Sequence, residues 1–134
     1  MADRPVFGEL SFYEAMAESL NADPEWAEIG KALSYSMTYV YGAPIDRVFY
    51  VEFDEGRVVE VAELATPEER IADFVVSGSP DNWKAVLTGA VKPATAMATG
   101  KLKIQGKQTV LLRNMKAFTH VMAVMTALDP VYPN

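Results

Sequence analysis

At 134 residues the chain has the size of one domain, and with half of its residues apolar and 22% charged it can bury a core without covalent staples. The absence of cysteine excludes a disulfide framework, a thiolate metal site and a cysteine nucleophile. Of the 18 acidic residues 16 precede position 80, which argues against nucleic acid as a partner, whereas seven of the 12 basic residues follow it. That basic end, with Lys84, Lys92, Lys101, Lys103, Lys107, Arg113 and Lys116, suits either a transient contact with an anionic membrane or an ordinary solvated face. No apolar run approaches the roughly 20 residues that span a bilayer, no basic-then-apolar leader opens the sequence, and no Ser-Lys-Leu address closes it. A cytoplasmic protein is expected.

In chain order, the first predicted helix opens at Ser11, which has capping-box spacing to Glu14, carries Phe12, Ala15, Met16 and Leu20, and ends by Asn21. A second opens at Asp23 as N-cap with Pro24 in the first turn. The spacing of Trp26, Ile29, Leu33, Met37 and Val40 carries it for about five turns, to the break at Gly42-Ala43-Pro44. Tyr35, Tyr39 and Tyr41 near its end are read as packing in preference to an aromatic rim. A hairpin follows: Arg47 to Asp54 alternates with Phe49, Val51 and Phe53 on one face, Asp54-Glu55-Gly56 turns, and Arg57 to Leu64 returns with Val59 and Val61, or Val58 and Ala62, inward. Ile71 to Gly78 is a third strand with Phe74 and Val76 on one face. Ser79 or Pro80-Asp81 opens a helix bearing Trp83, Val86, Leu87 and Ala90, closed after Gly89.

The last stretch, Lys92 to Met125, joins a short helix, a strand and a long apolar helix. Within Gly100 to Gly106 (GKLKIQG), Lys101, Lys103 and Gln105 alternate with Leu102 and Ile104, the period of a strand with one wet face. From Gln108 the spacing is helical: Leu111, Met115, Phe118, Met122 and Met125 form one stripe, and Val110, Ala117, Val121, Val124 and Leu128 a second beside it. The merged arc is wide enough to cover a sheet and still offer apolar surface. Met97, Met115, Met122 and Met125 suit both a close-packed core and a wall that adapts to apolar ligands. Strands followed by helices make the fold class α+β, with helices over one face of the sheet.

No catalytic template fits. His120 is the single histidine, which excludes a paired-histidine metal site, and it is placed on the polar side of the last helix with no carboxylate at helical spacing to orient it. Glu52, Asp54, Glu55, Glu60 and Glu63 fall on edges and turns of the hairpin, where solvation accounts for them. Ser77-Gly78-Ser79 lacks the nucleophile-elbow pattern, and Leu102 follows Gly100-Lys101 where a phosphate-binding loop needs a hydroxyl. No cofactor is called for.

Gly89, Lys92, Pro93, Ala96 and Met97, then GKLKIQG and a closing apolar helix, resemble the carboxy-terminal half of the sterol carrier protein type 2 family. Ala72 to Trp83 (ADFVVSGSPDNW) fits the strand and helix start before it, so the resemblance covers residues 47–128, and residues 1–46 read as a helical extension of the same single domain. The resemblance implies a mostly antiparallel, twisted sheet of about five strands covered by helices. It also implies a hydrophobic tunnel for a fatty acid, acyl-coenzyme A or a sterol-like lipid, in a monomer or homodimer that is not an enzyme. Carried onto this sequence, the expected lining is Phe49, Val51, Phe53, Phe74, Val76, Trp83, Leu87, Met97, Leu102, Ile104, Leu111, Met115, Phe118, Met122 and Met125. Two further classes stay open: an accessory or scaffold subunit of a lipid or quinone pathway with a collapsed core, and a thioester enzyme that works through a carboxylate.

Overall fold

The structure, a computed structural model, describes residues 4–132 and, at Gln108, the backbone alone. Pro133 and Asn134, on which the reading of the carboxy terminus rests, lie outside them. Five strands form one sheet in the order β3-β2-β1-β4-β5, with β1 at Tyr35–Tyr41, β2 at Arg47–Asp54, β3 at Arg57–Leu64, β4 at Phe74–Gly78 and β5 at Lys103–Gly106. The sheet is mixed: β1 runs parallel to β4 and every other pair is antiparallel. The cause is the connection after β3, which passes two strands to reach the far side of β1 and enters β4 in the direction of β1.

The helices are α1 (Leu10–Asn21), α2 (Pro24–Ile29), α3 (Pro80–Leu87), α4 (Pro93–Ala98), α5 (Gln108–Arg113) and α6 (Met115–Ala127). Their buried side chains join Tyr35, Met37, Tyr39, Tyr41, Phe49, Val51, Phe53, Phe74 and Val76 in one core, so the helices cover one face of the sheet as expected. The opposite face holds a smaller cluster of Val48, Tyr50 and Leu64 with Val40 and Ala72. There the β3–β4 connection lies across the strands, and the Arg70 guanidinium stands 3.9 Å from the centre of the Tyr50 ring.

The largest departure from the sequence reading lies between Leu33 and Tyr41. The second helix ends at Ile29, and Tyr35–Tyr41 is the central strand. Met37 and Val40 satisfy helical spacing from Leu33, but YSMTYVY also alternates, and its tyrosines, threonine and valine favour a pleated surface. Asp23 caps α2 as read, accepting from the Glu25 amide at 3.0 Å. Gly30 then stops it, where an added Cβ would come within 2.7 Å of the Trp26 ring. The amino-terminal region is therefore no helical extension, since it supplies the strand on which the sheet is built.

Smaller corrections have local causes. α1 begins at Leu10 with Glu9 at its N-cap, so Ser11 lies inside the helix and makes no capping box. The third strand starts at Phe74, not Ile71. In β3 a register shift opposite Glu52 and Phe53 turns Val58 and Val61 to the core and leaves Val59 half exposed, which neither alternating pattern anticipated. The closing helix breaks at Asn114, whose side-chain amide donates to the Val110 carbonyl at 2.9 Å. The strand in GKLKIQG is confined to Lys103–Gly106, because Gly100 turns the chain at φ 78° and the Leu102 amide is drawn to the Ala96 carbonyl at 3.1 Å.

The core side of β1 is aromatic. Tyr13 stacks on Phe49 with ring centres 4.8 Å apart and shares a hydroxyl hydrogen bond of 2.7 Å with Tyr41, and Tyr41 stacks on Trp83 at 5.0 Å. Burial pushes the phenols of Tyr13, Tyr39 and Tyr41 well above their usual range, so they stay protonated and act as packing and hydrogen-bonding groups.

Candidate functional site

A large apolar opening lies at the β5 end of the sheet. α4, the segment Gly100 to Ile104, α5 and the first residue of α6 enclose a cleft of about 510 Å³, within the range of about 300–1,000 Å³ typical of small-molecule sites. Pro93 starts α4 and Gly100 reverses the chain after it, so that Ala94, Met97 and Ala98 face Leu102, Lys103 and Ile104 across the opening. The break at Asn114 lets Leu111 and Leu112 from α5 and Met115 from α6 close the remaining side. Lys103 is the one ionisable side chain in this lining.

Met97, Leu102, Ile104 and Met115 form the floor, and the same four also roof a seam between the sheet and α6. The seam is completed by Met37, Val76, Pro93, Phe118, Thr119 and Met122. Its volume is about 10 Å³, room for no more than about one water. Four of its walls are methionines, whose unbranched side chains change shape at little cost. The cleft is open at the surface and the seam is shut, and Met97, Leu102, Ile104 and Met115 border both.

Of the fifteen residues expected to line a tunnel, Met97, Leu102, Ile104, Leu111 and Met115 line the cleft, and Val76, Phe118 and Met122 join the seam. Phe49, Val51, Phe53, Phe74, Trp83, Leu87 and Met125 are packed in the core away from both. Sequence reasoning missed Ala94, Ala98, Gly100, Lys103 and Leu112, which also line the cleft. Ala94 and Ala98, four apart on a short helix, are the small side chains that leave the opening unfilled, and that spacing was a readable signal. Leu112 had none, since in an unbroken helix it lies off the apolar stripe.

His120 departs from its expected surface setting. Its ring lies parallel to Trp26 at 5.9 Å, Nε2 donates to Asp23 Oδ2 at 2.7 Å, and Nδ1 lies 3.5 Å from Glu25 Oε2. The orienting carboxylates come from α2 rather than from its own helix, a contact that helical spacing cannot reveal. The group ties α2 to α6 and lines neither cleft nor seam. The hydrogen bond from His120 holds the Asp23 carboxyl below its usual range, with backbone amides adding to the effect. A carboxyl depressed in the folded state contributes stability above its unfolded value of about 3.9 and loses it as pH falls through the folded value. Asp23→Asn is thus expected to lower the melting temperature at pH 7 and to flatten its decline between about pH 5 and 2, as followed by circular dichroism. An unchanged acid limb would show that other carboxylates set it.

The hairpin carboxylates lie away from the cleft and are engaged elsewhere: Glu63 accepts from Arg47 at 2.6 and 2.8 Å, Glu60 pairs with Arg70, and Glu52 accepts from the Tyr50 hydroxyl at 2.9 Å. Among the described residues no three His, Asp or Glu side chains converge as metal ligands would.

The sequence pattern of the SCP-2 sterol transfer family matches residues 19–119. The chain belongs to that family. The matched range contains every residue that lines the cleft, and it reaches well upstream of the resemblance that began at Arg47. A crystal structure of sterol carrier protein 2 superposes with a TM-score of 0.79 at 19% identity, covering 89% of this chain and 96% of that one. The solution structure of a conserved hypothetical protein from Thermus Thermophilus gives 0.80 at 18% identity, covering 100% and 96%. UbiJ-SCP2, a ubiquinone synthesis protein, gives 0.55 at 13% identity, covering 84% and 90%. Comparison with curated protein sequences gave no match. At such identities these structures share the SCP2 fold, and within that fold the family implies lipid binding and transfer. No helix among the described residues is long and apolar enough to cross a membrane.

Proposed function

We propose that the protein is a non-catalytic, cytoplasmic carrier that binds a hydrophobic ligand, a fatty acid, acyl-coenzyme A or sterol-like lipid, in the cleft between α4, β5, α5 and α6. The observation that carries this reading is the shared floor: the side chains at the bottom of an open apolar cleft are the roof of a closed, methionine-walled seam. A chain that enters the cleft meets no polar barrier on the way inward, and parting Met97 from Met115 extends its path toward Phe118 and Met122. Each methylene so buried contributes about 0.8 kcal/mol, so an acyl chain is held without any chemistry. Lys103 at the wall suits an anionic head group.

The test is native mass spectrometry of the protein purified from its expression host, followed by denaturing extraction. A co-purified lipid mass that exchanges with an added fluorescent fatty acid is expected. A bare chain mass together with no uptake of that fatty acid would overturn the carrier reading.

One observation favours a second reading. The seam is shut, and the core beside it is filled by Tyr35, Phe74 and Phe118 in mutual ring contact at 5.4 to 5.8 Å. A module of this kind would serve as an accessory subunit of a lipid or quinone pathway, and the fold is shared by the ubiquinone synthesis protein named above. The apolar cleft would then be an interface, and size-exclusion chromatography would show a homodimer where the carrier reading accepts a monomer.

A further inference from the structure

The mouth of the cleft is where the charge asymmetry of the sequence becomes spatial. α5 begins after Lys107 and ends at Arg113, Lys103 stands on the facing wall, and Lys116 follows one residue into α6. All four are exposed, and none makes an ion pair among the described residues. Two acids border this face: Glu28 shares a surface hollow with Arg113 and Lys116 and is itself held by Lys31 at 3.3 Å, and Asp73, beside the Phe74–Gly106 pair, accepts from the Ser36 amide and hydroxyl at 2.8 and 3.3 Å. Amid these cations Leu112 projects from α5, 69% exposed and at the same time part of the cleft wall.

The other strongly exposed aliphatic side chain of this size, Ile71 at 96%, lies in the connection after Glu68 and Glu69, where an anionic surface is repelled. Arg57, at the start of β3, is on the opposite edge strand of the sheet from β5. Apolar exposure and uncompensated positive charge therefore coincide at the cleft mouth.

We propose that the α5 face docks on an anionic lipid bilayer, with Leu112 entering the interface and Lys103, Lys107, Arg113 and Lys116 on the head groups, so that the cleft opens onto the membrane. This rests on the carrier reading and adds to it the surface through which the ligand is exchanged. An apolar ligand leaving an outward-facing cleft would cross water at the full cost of hydrating its chain. A cleft pressed onto the bilayer removes that step. The cations supply long-range attraction that salt screens, and the single leucine adds short-range hold without permanent anchoring.

Co-sedimentation of the full chain with vesicles tests this. Binding is expected to phosphatidylcholine vesicles that contain phosphatidylglycerol, weak binding to phosphatidylcholine alone, and release as salt is raised. Lys107→Gln with Arg113→Gln is expected to weaken binding by about 30-fold, from about fivefold per cation near the surface. Leu112→Gln should weaken it further, and Arg57→Gln should leave it within about twofold. The proposal is overturned if the Lys107/Arg113 pair binds like the unaltered protein, if Arg57→Gln falls as far, or if the two vesicle types bind alike. Fatty-acid uptake in vesicle-free buffer separates the two readings. Uptake without vesicle binding overturns docking alone, and vesicle binding without uptake overturns the carrier alone.

Discussion

Met115→Glu is expected to abolish fatty-acid uptake, with a loss of at least about 100-fold in affinity, equivalent to about 2.7 kcal/mol, while the protein remains folded. Met115 is half buried, and it belongs to both the cleft floor and the roof of the seam. A carboxylate there reaches water in the empty protein, so folding is little disturbed. A ligand chain arriving over it would have to strip that charge of its hydration, and burying an unpaired polar group costs about 2 kcal/mol or more. Fluorescence titration with a labelled fatty acid reads the affinity, and circular dichroism reads the fold. Uptake retained in a folded Met115→Glu protein would sink the assignment of the cleft. Phe118→Glu is the poorer test although it lies deeper on the same path. Its ring is buried against Tyr35 at 5.5 Å and Phe74 at 5.4 Å, so a charge there removes the core together with the site.

Trp83→Ala is expected to cost about 3–5 kcal/mol of stability in urea unfolding, the range for deleting a large buried ring. Trp83 is fully buried, stacks on Tyr41 at 5.0 Å, and donates from Nε1 to the Val40 carbonyl at 3.1 Å, so it joins α3 to the central strand. Against a typical total of about 5–15 kcal/mol, that loss leaves the protein marginal. Trp83→Phe keeps most of the ring volume, leaves that hydrogen bond unmade and should cost less, about 1–3 kcal/mol. This variant also decides between two roles for the residue. As core it should lower the urea midpoint with little change in fatty-acid affinity, whereas a loss of affinity at unchanged stability would return Trp83 to the ligand path.

How much of this was legible can be judged from particular residues. Arg47–Asp54 and Arg57–Leu64 match the observed strands to the residue, because β-favouring residues run on both sides of an Asp-Glu-Gly turn, although a register shift breaks the alternation of the second. Ser79 was readable as a cap, and its hydroxyl accepts from the Asn82 amide at 3.2 Å. Leu111, Met115, Phe118, Met122 and Met125 do lie inward as one stripe, although Asn114 divides the helix that carries them. The segment Tyr35–Tyr41 was misread because two periodicities overlap there, and local spacing does not say which one the neighbours reward. What decides it is pairing: β1 lies between β2 and β4, and only an extended segment can satisfy backbone groups on both sides. His120 failed for a related reason, since its partners Asp23 and Glu25 lie almost a hundred positions away.

The sequence by itself determined the α+β class, the hairpin, the apolar face of the last helices and the separation of acidic from basic residues, all of which are properties of local spacing and composition, while the motif residues around GKLKIQG carried the resemblance to the family. Only the tertiary structure decided which of the inward-facing side chains are solid core and which border a cleft. Periodicity reports that a side chain leaves water. Whether it then meets another side chain or an unfilled space depends on what the facing element presents, and here small Ala94 and Ala98 opposite Ile104 and Met115 leave the opening that Trp83 against Tyr41 fills elsewhere.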